Sequence, residues 1–333
     1  MENTNNTNNN NFVLELDNYE IETLLNFANL LTTISPSEDP DFFCTMSKKL
    51  SRCLHHRIIN KLMHFAKHGS ETGFLLIKTI PVDLDNLPET PPSNNYKIGE
   101  NTKLAKIQSM ILNVFSELIS YEAEGYGRLF QDIVPNQSMA KHQTSLGSNT
   151  ELEIHTEQAF SKLRPDILSL ACLRGDIQAL TYVLPVKHII DNMSKEENEL
   201  LRKPLWKTGV DLSFKLHGYD FLEGDVRGPL SIIHGEISDP QLIFDQDLMT
   251  GITDESEKII QKIVDIYYKH RISHNLSPGE IILIDNRRAV HGRSPFFPNF
   301  DGKDRFLTRC FSTLDYKKSE HARSGRVITA IYS

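Results

Sequence analysis

Three residues of this chain have the types and spacing to share one metal ion: His155 and Glu157, separated by Thr156, and the distant His291 in Asn286-Arg287-Arg288-Ala289-Val290-His291-Gly292-Arg293-Ser294. On a β-strand, residues i and i+2 project from the same face, so the His155 imidazole and the Glu157 carboxylate can reach one cation while Thr156 points away. A second strand must deliver His291. Two imidazoles and one carboxylate on one face of an octahedral metal leave the opposite face open. A non-haem Fe(II) oxygenase needs those open positions for a bidentate 2-oxo acid and for O2. Arg305 and Arg309, downstream of His291, are candidate anchors for carboxylates.

The triplet alone is weak evidence. With 13 His and 44 acidic residues in 333, roughly one or two His-x-Asp/Glu triplets arise by chance. A second one, His234-Gly235-Glu236, could also be paired with His291. Two arguments favour the first. A glycine between the ligands suits a turn better than a strand interior, and little chain would remain after His234 to build a barrel around a metal.

The elements that must position these residues follow from hydrophobic periodicity. Residues 18 to 34 and 40 to 67 carry apolar side chains at helical spacing, among them Leu24, Leu31, Leu50, Ile58 and Leu62. Gly73 to Lys78 reads as a short apolar strand, and the Pro-rich stretch 87 to 93 as a loop leading to a helix near 102 to 122. Further helices are expected at about 194 to 202, where Ser194 and Glu197 have capping-box spacing, and at 254 to 270. A Pro278-Gly279 turn launches the strand Glu280 to Asp285. The first twelve residues are an Asn/Thr tract, expected to be disordered and lacking the basic start and apolar core of a signal peptide.

Composition agrees with a soluble enzyme, and a cytoplasmic location is expected. A net charge of -8 argues against nucleic-acid and anionic-membrane partners. The longest apolar runs, Phe74 to Ile77 and Ile281 to Ile284, are strand-length and too short to span a bilayer. The four cysteines, Cys44, Cys53, Cys172 and Cys310, form no CxxC pair and are expected to be reduced thiols.

Longer motifs carry a family resemblance. Tyr121-Glu-Ala-Glu-Gly-Tyr-Gly-Arg-Leu-Phe-Gln-Asp-Ile-Val-Pro135, Gln143-Thr-Ser-Leu-Gly-Ser148, His155-Thr-Glu-Gln-Ala-Phe160 and Leu170-Ala-Cys-Leu-Arg-Gly-Asp176 resemble the clavaminate-synthase-like Fe(II)/2-oxoglutarate oxygenases. So do Leu283 to Ser294, Asp304 to Arg309 and His321 to Val327. Within that group the chain is most similar to the free L-lysine 3-hydroxylases, over roughly residues 70 to 333.

The resemblance implies a mainly β fold with flanking helices, a double-stranded β-helix (a jelly-roll, cupin-like barrel) with its metal in the mouth. A single domain over 13 to 333 is expected, with its barrel core at about 70 to 333 and a lid at about 210 to 255. The resemblance also implies residue roles. His155, Glu157 and His291 would hold Fe(II). Arg305, fourteen residues after His291, would hold the distal carboxylate of 2-oxoglutarate, with Thr181 hydrogen-bonding the same co-substrate. Arg309 would take the α-carboxylate of an amino acid, and Glu124 would face its α-amino group. Ser145 would contact the amino acid, while Asp245 and Asp247 would meet a cationic side chain from the lid.

The reading is therefore hydroxylation of a free basic L-amino acid, L-lysine at C3, with Fe(II), 2-oxoglutarate and O2. Lysine C4, L-arginine and L-ornithine are the competing substrates. A halogenase would lack a carboxylate ligand, whereas Glu157 is present. A protein hydroxylase would need an open groove, and a non-enzymatic binding barrel would form no succinate. Assembly into a homo-oligomer is left open.

Overall fold

The computed structural model describes residues 12–211 and 226–330. Nearly all of the Asn-rich segment expected to be disordered, and residues 212–225 of the expected lid, lie outside the described residues.

The two helical stretches near the N-terminus fold as three helices, α1 (Asn18–Leu31), α2 (Pro40–Ser51) and α3 (His56–His68). The single periodic run expected over 40 to 67 breaks at residues 52 to 55. There α2 ends at Arg52, and His55 adopts an extended conformation, its ring accepting the Arg57 N–H to start α3. β1 (Val13–Glu15) precedes α1, and β2 (Phe74–Lys78) follows α3.

The helix expected over 102 to 122 is shorter. α4 spans Lys103–Asn113 with Thr102 as its N-cap, and the rest of the stretch is strand β3 (Glu117–Tyr121). Here tertiary pairing overrides local propensity. β3 pairs with β16 (Phe306–Thr313) on one edge and with a C-terminal strand at Val327–Ile328 on the other. α5 (Val186–Asp191), α6 (Lys195–Leu201) and α7 (Asp254–His270) follow. α6 starts on the Ser194/Glu197 capping box, as the spacing predicts.

Two sheets hold the core. The larger runs through β2, β14 (Ile281–Asp285), β6 (Ile167–Arg174), β16 and β3. The smaller has the order β13 (Ile272–Asn275), β7 (Leu180–Pro185), β15 (Ala289–Arg293), β5 (Leu152–His155). The chain leaves β6 of one sheet for β7 of the other, and β14 for β15. Each passage carries residues from the wide sheet to the narrow one.

Side-chain alternation explains the continuous apolar runs. In β2, Leu75 and Ile77 face α1, α2 and α4, while Phe74 and Leu76 face the smaller sheet; in β14, Ile281 and Leu283 pair off against Ile282 and Ile284 in the same way. The smaller sheet has the same two-sided burial. Val183 and Ala289 point between the sheets, and Tyr182, Leu184 and Val290 pack on α5 and α7. By this alternation, His291 and Arg293 share the inner face of β15 with Ala289. Leu307, Arg309 and Phe311 share the inner face of β16.

Among the described residues, no helix is long and apolar enough to cross a membrane. All four cysteines are free.

Candidate metal centre and substrate pocket

Strand register brings the distant histidine to the triplet. β15 and β5 are antiparallel with His291 directly opposite His155, and the two rings lie 4.5 Å apart between centroids. The next pair in register is Arg293 with Leu152, so β5 carries one extra residue and bulges beside the ligands. Bulges re-aim side chains, and they concentrate next to active sites. Gly292 accommodates this one: a Cβ there would stand 2.6 Å from the Leu152 carbonyl oxygen.

The strand alternation argument for His155 and Glu157 holds only in part. β5 ends at His155, and Glu157 lies just beyond it. The extended course continues because residues 154 to 156 pair with the segment around Asp245: the Thr156 N–H donates to the Phe244 carbonyl (2.8 Å) and the Gln246 N–H to that of Ile154 (3.0 Å). The buried Asn286 amide then clamps Glu157. Its oxygen accepts the Glu157 N–H at 2.7 Å, and its nitrogen donates to the carbonyls of Glu157 and Pro165.

The donor set fits a metal ion. Ligand atoms of His155, Glu157 and His291 all lie within 4.8 Å of one another. Glu157 Oε1 is 3.2 Å from His291 Nε2 and 4.0 Å from His155 Nε2. His155 Nδ1 is 2.8 Å from the Glu153 carbonyl oxygen, which fixes the proton there and leaves the Nε2 lone pair for a cation. Burial alone would push the Glu157 carboxyl up, but Arg309, His291 and His155 outweigh it and hold it down at about 2. His291 is shifted down by burial and then by His155, so it stays a neutral ligand. No other such cluster occurs among the described residues. His234 is not part of it; it lies in the short strand Ile233–Gly235, paired with Pro240–Leu242, so the glycine expected in a turn instead ends a strand, with a φ of +76°.

All ten residues singled out from the sequence line one pocket: His155, Glu157, His291, Arg305, Thr181, Arg309, Ser145, Glu124, Asp245 and Asp247. The two arginines have opposite surroundings. Arg309 is buried, donates to Gln131 and Glu124, and lies 3.7 Å from Glu157 Oε2. Glu124, shifted up by burial against the pull of Arg309, also accepts from Gln158 at 2.8 Å. Arg305 is equally buried, yet it has no hydrogen-bond or ion-pair partner among the described residues. Burial pulls its guanidinium down to about 10, and its ring neighbour is Phe296 at 5.7 Å. An unpaired buried cation is costly unless an anion meets it.

Further acidic residues lie near His155 in the same pocket. Asp245 forms a backbone bridge with His155, and its side chain accepts the Leu248 N–H. Asp247 is exposed at the pocket rim. Sequence reasoning missed Asp211, which follows β8 (Trp206–Gly209) and lines the same pocket. Burial, and then Asp245, push its carboxyl up to about 8. It carries no periodic signal that could have marked it. Arg293 was also missed, although its position two residues after His291 on one strand face would have pointed to it. Its guanidinium is buried and pulled down to about 9 by burial and then by Arg305. Arg287 and Arg288 of the same motif pair with the buried Asp285 and brace the turn instead.

The family model for the taurine catabolism dioxygenase TauD/TfdA family matches residues 112–311. An L-lysine 3-hydroxylase from Catenulispora acidiphila is 46% identical over 323 residues, covering 96% of this chain and 90% of the relative. An L-asparagine oxygenase from Streptomyces coelicolor is 31% identical over 264 residues, 79% of this chain and 77% of the relative. Among solved structures, an asparagine oxygenase in complex with Fe(II), 2S,3S-3-hydroxyasparagine and succinate superposes with a TM-score of 0.88 at 28% identity, over 96% of this chain and 99% of that one.

Proposed function

Because the chain belongs to the TauD/TfdA family of dioxygenases, we propose that it hydroxylates free L-lysine at C3. The reaction consumes L-lysine, 2-oxoglutarate and O2 and yields 3-hydroxylysine, succinate and CO2. One observation carries the choice of a basic amino acid: an unpartnered guanidinium, the Arg309–Glu124 ion pair and the carboxylates of Asp211, Asp245 and Asp247 line one pocket. The lysine 3-hydroxylase relative, matched over nearly the whole chain, supports the substrate and the carbon.

His155, Glu157 and His291 would hold the iron. Bound iron, with 2-oxoglutarate and O2, supplies the oxidant that takes a hydrogen from the substrate carbon. The protein supplies orientation. Arg305 takes the distal carboxylate of 2-oxoglutarate in two-pronged fashion, with Thr181 beside it. Arg309 and Glu124 form an ion pair whose two charges complement an α-carboxylate and an α-ammonium, so an amino acid inserts between them. Ser145 contacts the same end. Asp245 and Asp247, joined by Asp211, meet the ε-ammonium. Ionised carboxylates crowded together are unfavourable, and a cation among them relieves that crowding.

We read the two sheets as the double-stranded β-helix of a single cytoplasmic domain. Support comes from the passages β6 to β7 and β14 to β15, which alternate between sheets. The test is a panel of free L-amino acids, including lysine, arginine, ornithine and asparagine, with Fe(II) and 2-oxoglutarate. Lysine-dependent succinate with an equal amount of monohydroxylated lysine is the expected result. Succinate formation driven best by a neutral amino acid would overturn the substrate class.

A further inference from the structure

Among the described residues Arg293 has three polar contacts, all to backbone carbonyls. Nη1 donates to Gly147 (2.8 Å), Nη2 to Thr150 (3.2 Å) and Nε to Ser294 (3.1 Å). Gly147 and Thr150 belong to the loop that carries Ser145 to the pocket and runs directly into β5, the strand of His155. The Phe296 N–H adds a tie to the same loop, donating to the Ser148 carbonyl at 2.9 Å.

The Phe296 ring lies against two cations. Its centroid is 5.0 Å from Cζ of Arg293 and 5.7 Å from Cζ of Arg305. Among the described residues neither guanidinium has a carboxylate within ion-pair distance, and both line the pocket. Carbonyl acceptors and a ring face compensate a buried cation only partly. Seated on the loop, Arg293 therefore adds a charge beside another that has no ion-pair partner among the described residues.

We propose that Arg293 is a positioning residue that couples co-substrate binding to the amino-acid side of the pocket. An anion on Arg305 removes the penalty of seating Arg293 next to it. The seated state is the one that holds residues 147 to 150, so the anion favours an ordered loop and a placed Ser145. A ligand shifts such an equilibrium by its differential affinity for the two states. The coupling is reciprocal: the amino acid must tighten 2-oxoglutarate by the same factor. This inference rests on the reading of Arg305 as the 2-oxoglutarate anchor.

The experiment uses the full chain loaded with Mn(II) under anaerobic conditions, so that both ligands bind without turnover. Calorimetry measures L-lysine affinity with and without 2-oxoglutarate. Hydrogen exchange follows the amides of residues 143 to 151 on addition of 2-oxoglutarate alone. In the parent, 2-oxoglutarate should raise lysine affinity at least about fivefold, the lower end of ordinary coupling, and protect the loop amides. Arg293→Met should still bind 2-oxoglutarate but lose most of the affinity ratio and of the protection. Arg293→Lys keeps the charge but cannot span two carbonyls, and should lose the protection while folding as the parent does. The same ratio and protection in the parent and in either folded variant would overturn the coupling, as would loop amides indifferent to 2-oxoglutarate in the parent. A parent that binds no 2-oxoglutarate would overturn the reading of Arg305 and the coupling together, whereas normal binding with unaltered coupling overturns the coupling alone.

Discussion

Replacing Arg305 by Met should make the ligand-free protein more stable while removing most of its affinity for 2-oxoglutarate. The side chain is buried without a hydrogen-bond or ion-pair partner among the described residues, and burial pulls its guanidinium well below the usual arginine range, down to about 10. At 1.36 kcal/mol for each tenfold change, that is on the order of 3 kcal/mol that the ligand-free fold bears. Methionine keeps much of the apolar stem and carries no charge, so some of this cost disappears. Binding changes in the opposite direction. A desolvated charge-assisted contact is worth about 1.5 to 3 kcal/mol, and a two-pronged one lies at or above the upper end, so Kd for 2-oxoglutarate should rise on the order of a hundredfold. Thermal unfolding of the Mn(II)-loaded protein reads both effects. The variant should start from a higher midpoint than the parent, and 2-oxoglutarate, which raises the parent's midpoint, should barely move it. Arg305→Lys should fall between the two, because a point charge replaces a fork. A variant that keeps the parent's 2-oxoglutarate-induced shift would refute the assignment of Arg305.

The remaining expectations concern other parts of the chain. His155→Ala, Glu157→Ala and His291→Ala should each abolish hydroxylation and weaken iron binding measured by metal analysis, whereas His234→Ala and Glu236→Ala should retain iron; loss from the second set and not the first would reverse the choice of triplet. Arg309→Lys should raise KM for the amino acid with little change for 2-oxoglutarate, and equal changes in both would remove Arg309 from the substrate side. Asp245→Asn and Asp247→Asn should lower kcat/KM for lysine about ten- to a hundredfold, from about 1.5 to 3 kcal/mol of lost charge pairing, and lower that for norleucine much less; equal losses would mean that these residues only shape the pocket. Lys106 is buried, 3.5 Å from its one carbonyl acceptor at Ile34, and burial pulls it from 10.5 down to about 8. Its charged form is therefore penalised in the fold at neutral pH, and the penalty fades as pH rises from about 8 toward 10.5, where the unfolded chain also loses the proton. Lys106→Met should accordingly stabilise the protein by up to about 3 kcal/mol at pH 7 and by progressively less above pH 8, and a gain independent of pH in denaturant titrations would contradict this.

Residue types and spacing made the His155, Glu157 and His291 cluster legible, because the chemistry of an open octahedral site restricts which side chains can build it. What they could not show is how Glu157 is held. The strand rule needed only to reach residue 157, but β5 stops at His155, and the Asn286 clamp and the Asp245 segment, 129 and 88 residues away in the chain, complete the geometry. Such contacts leave no periodic trace. The same holds for residues 117 to 121, whose strand state depends on β16 and the strand at Val327–Ile328 rather than on local preference. The runs at 74 to 77 and 281 to 284 were readable as strands because burial on both faces makes every position apolar. Asp211 was invisible for the opposite reason: a single carboxylate after a short strand looks like any surface turn until the fold sets it beside Asp245.

The central claim is hydroxylation of L-lysine at C3, and the most direct measurement uses L-lysine carrying deuterium at both C3 positions. Turnover with Fe(II), 2-oxoglutarate and O2 should give a monohydroxylated lysine that has lost one deuterium by mass spectrometry, with the remaining one on the hydroxyl-bearing carbon by NMR. A hydroxylated product retaining both deuteriums would place the reaction at another carbon, and succinate formed without any hydroxylated lysine would contradict the account altogether.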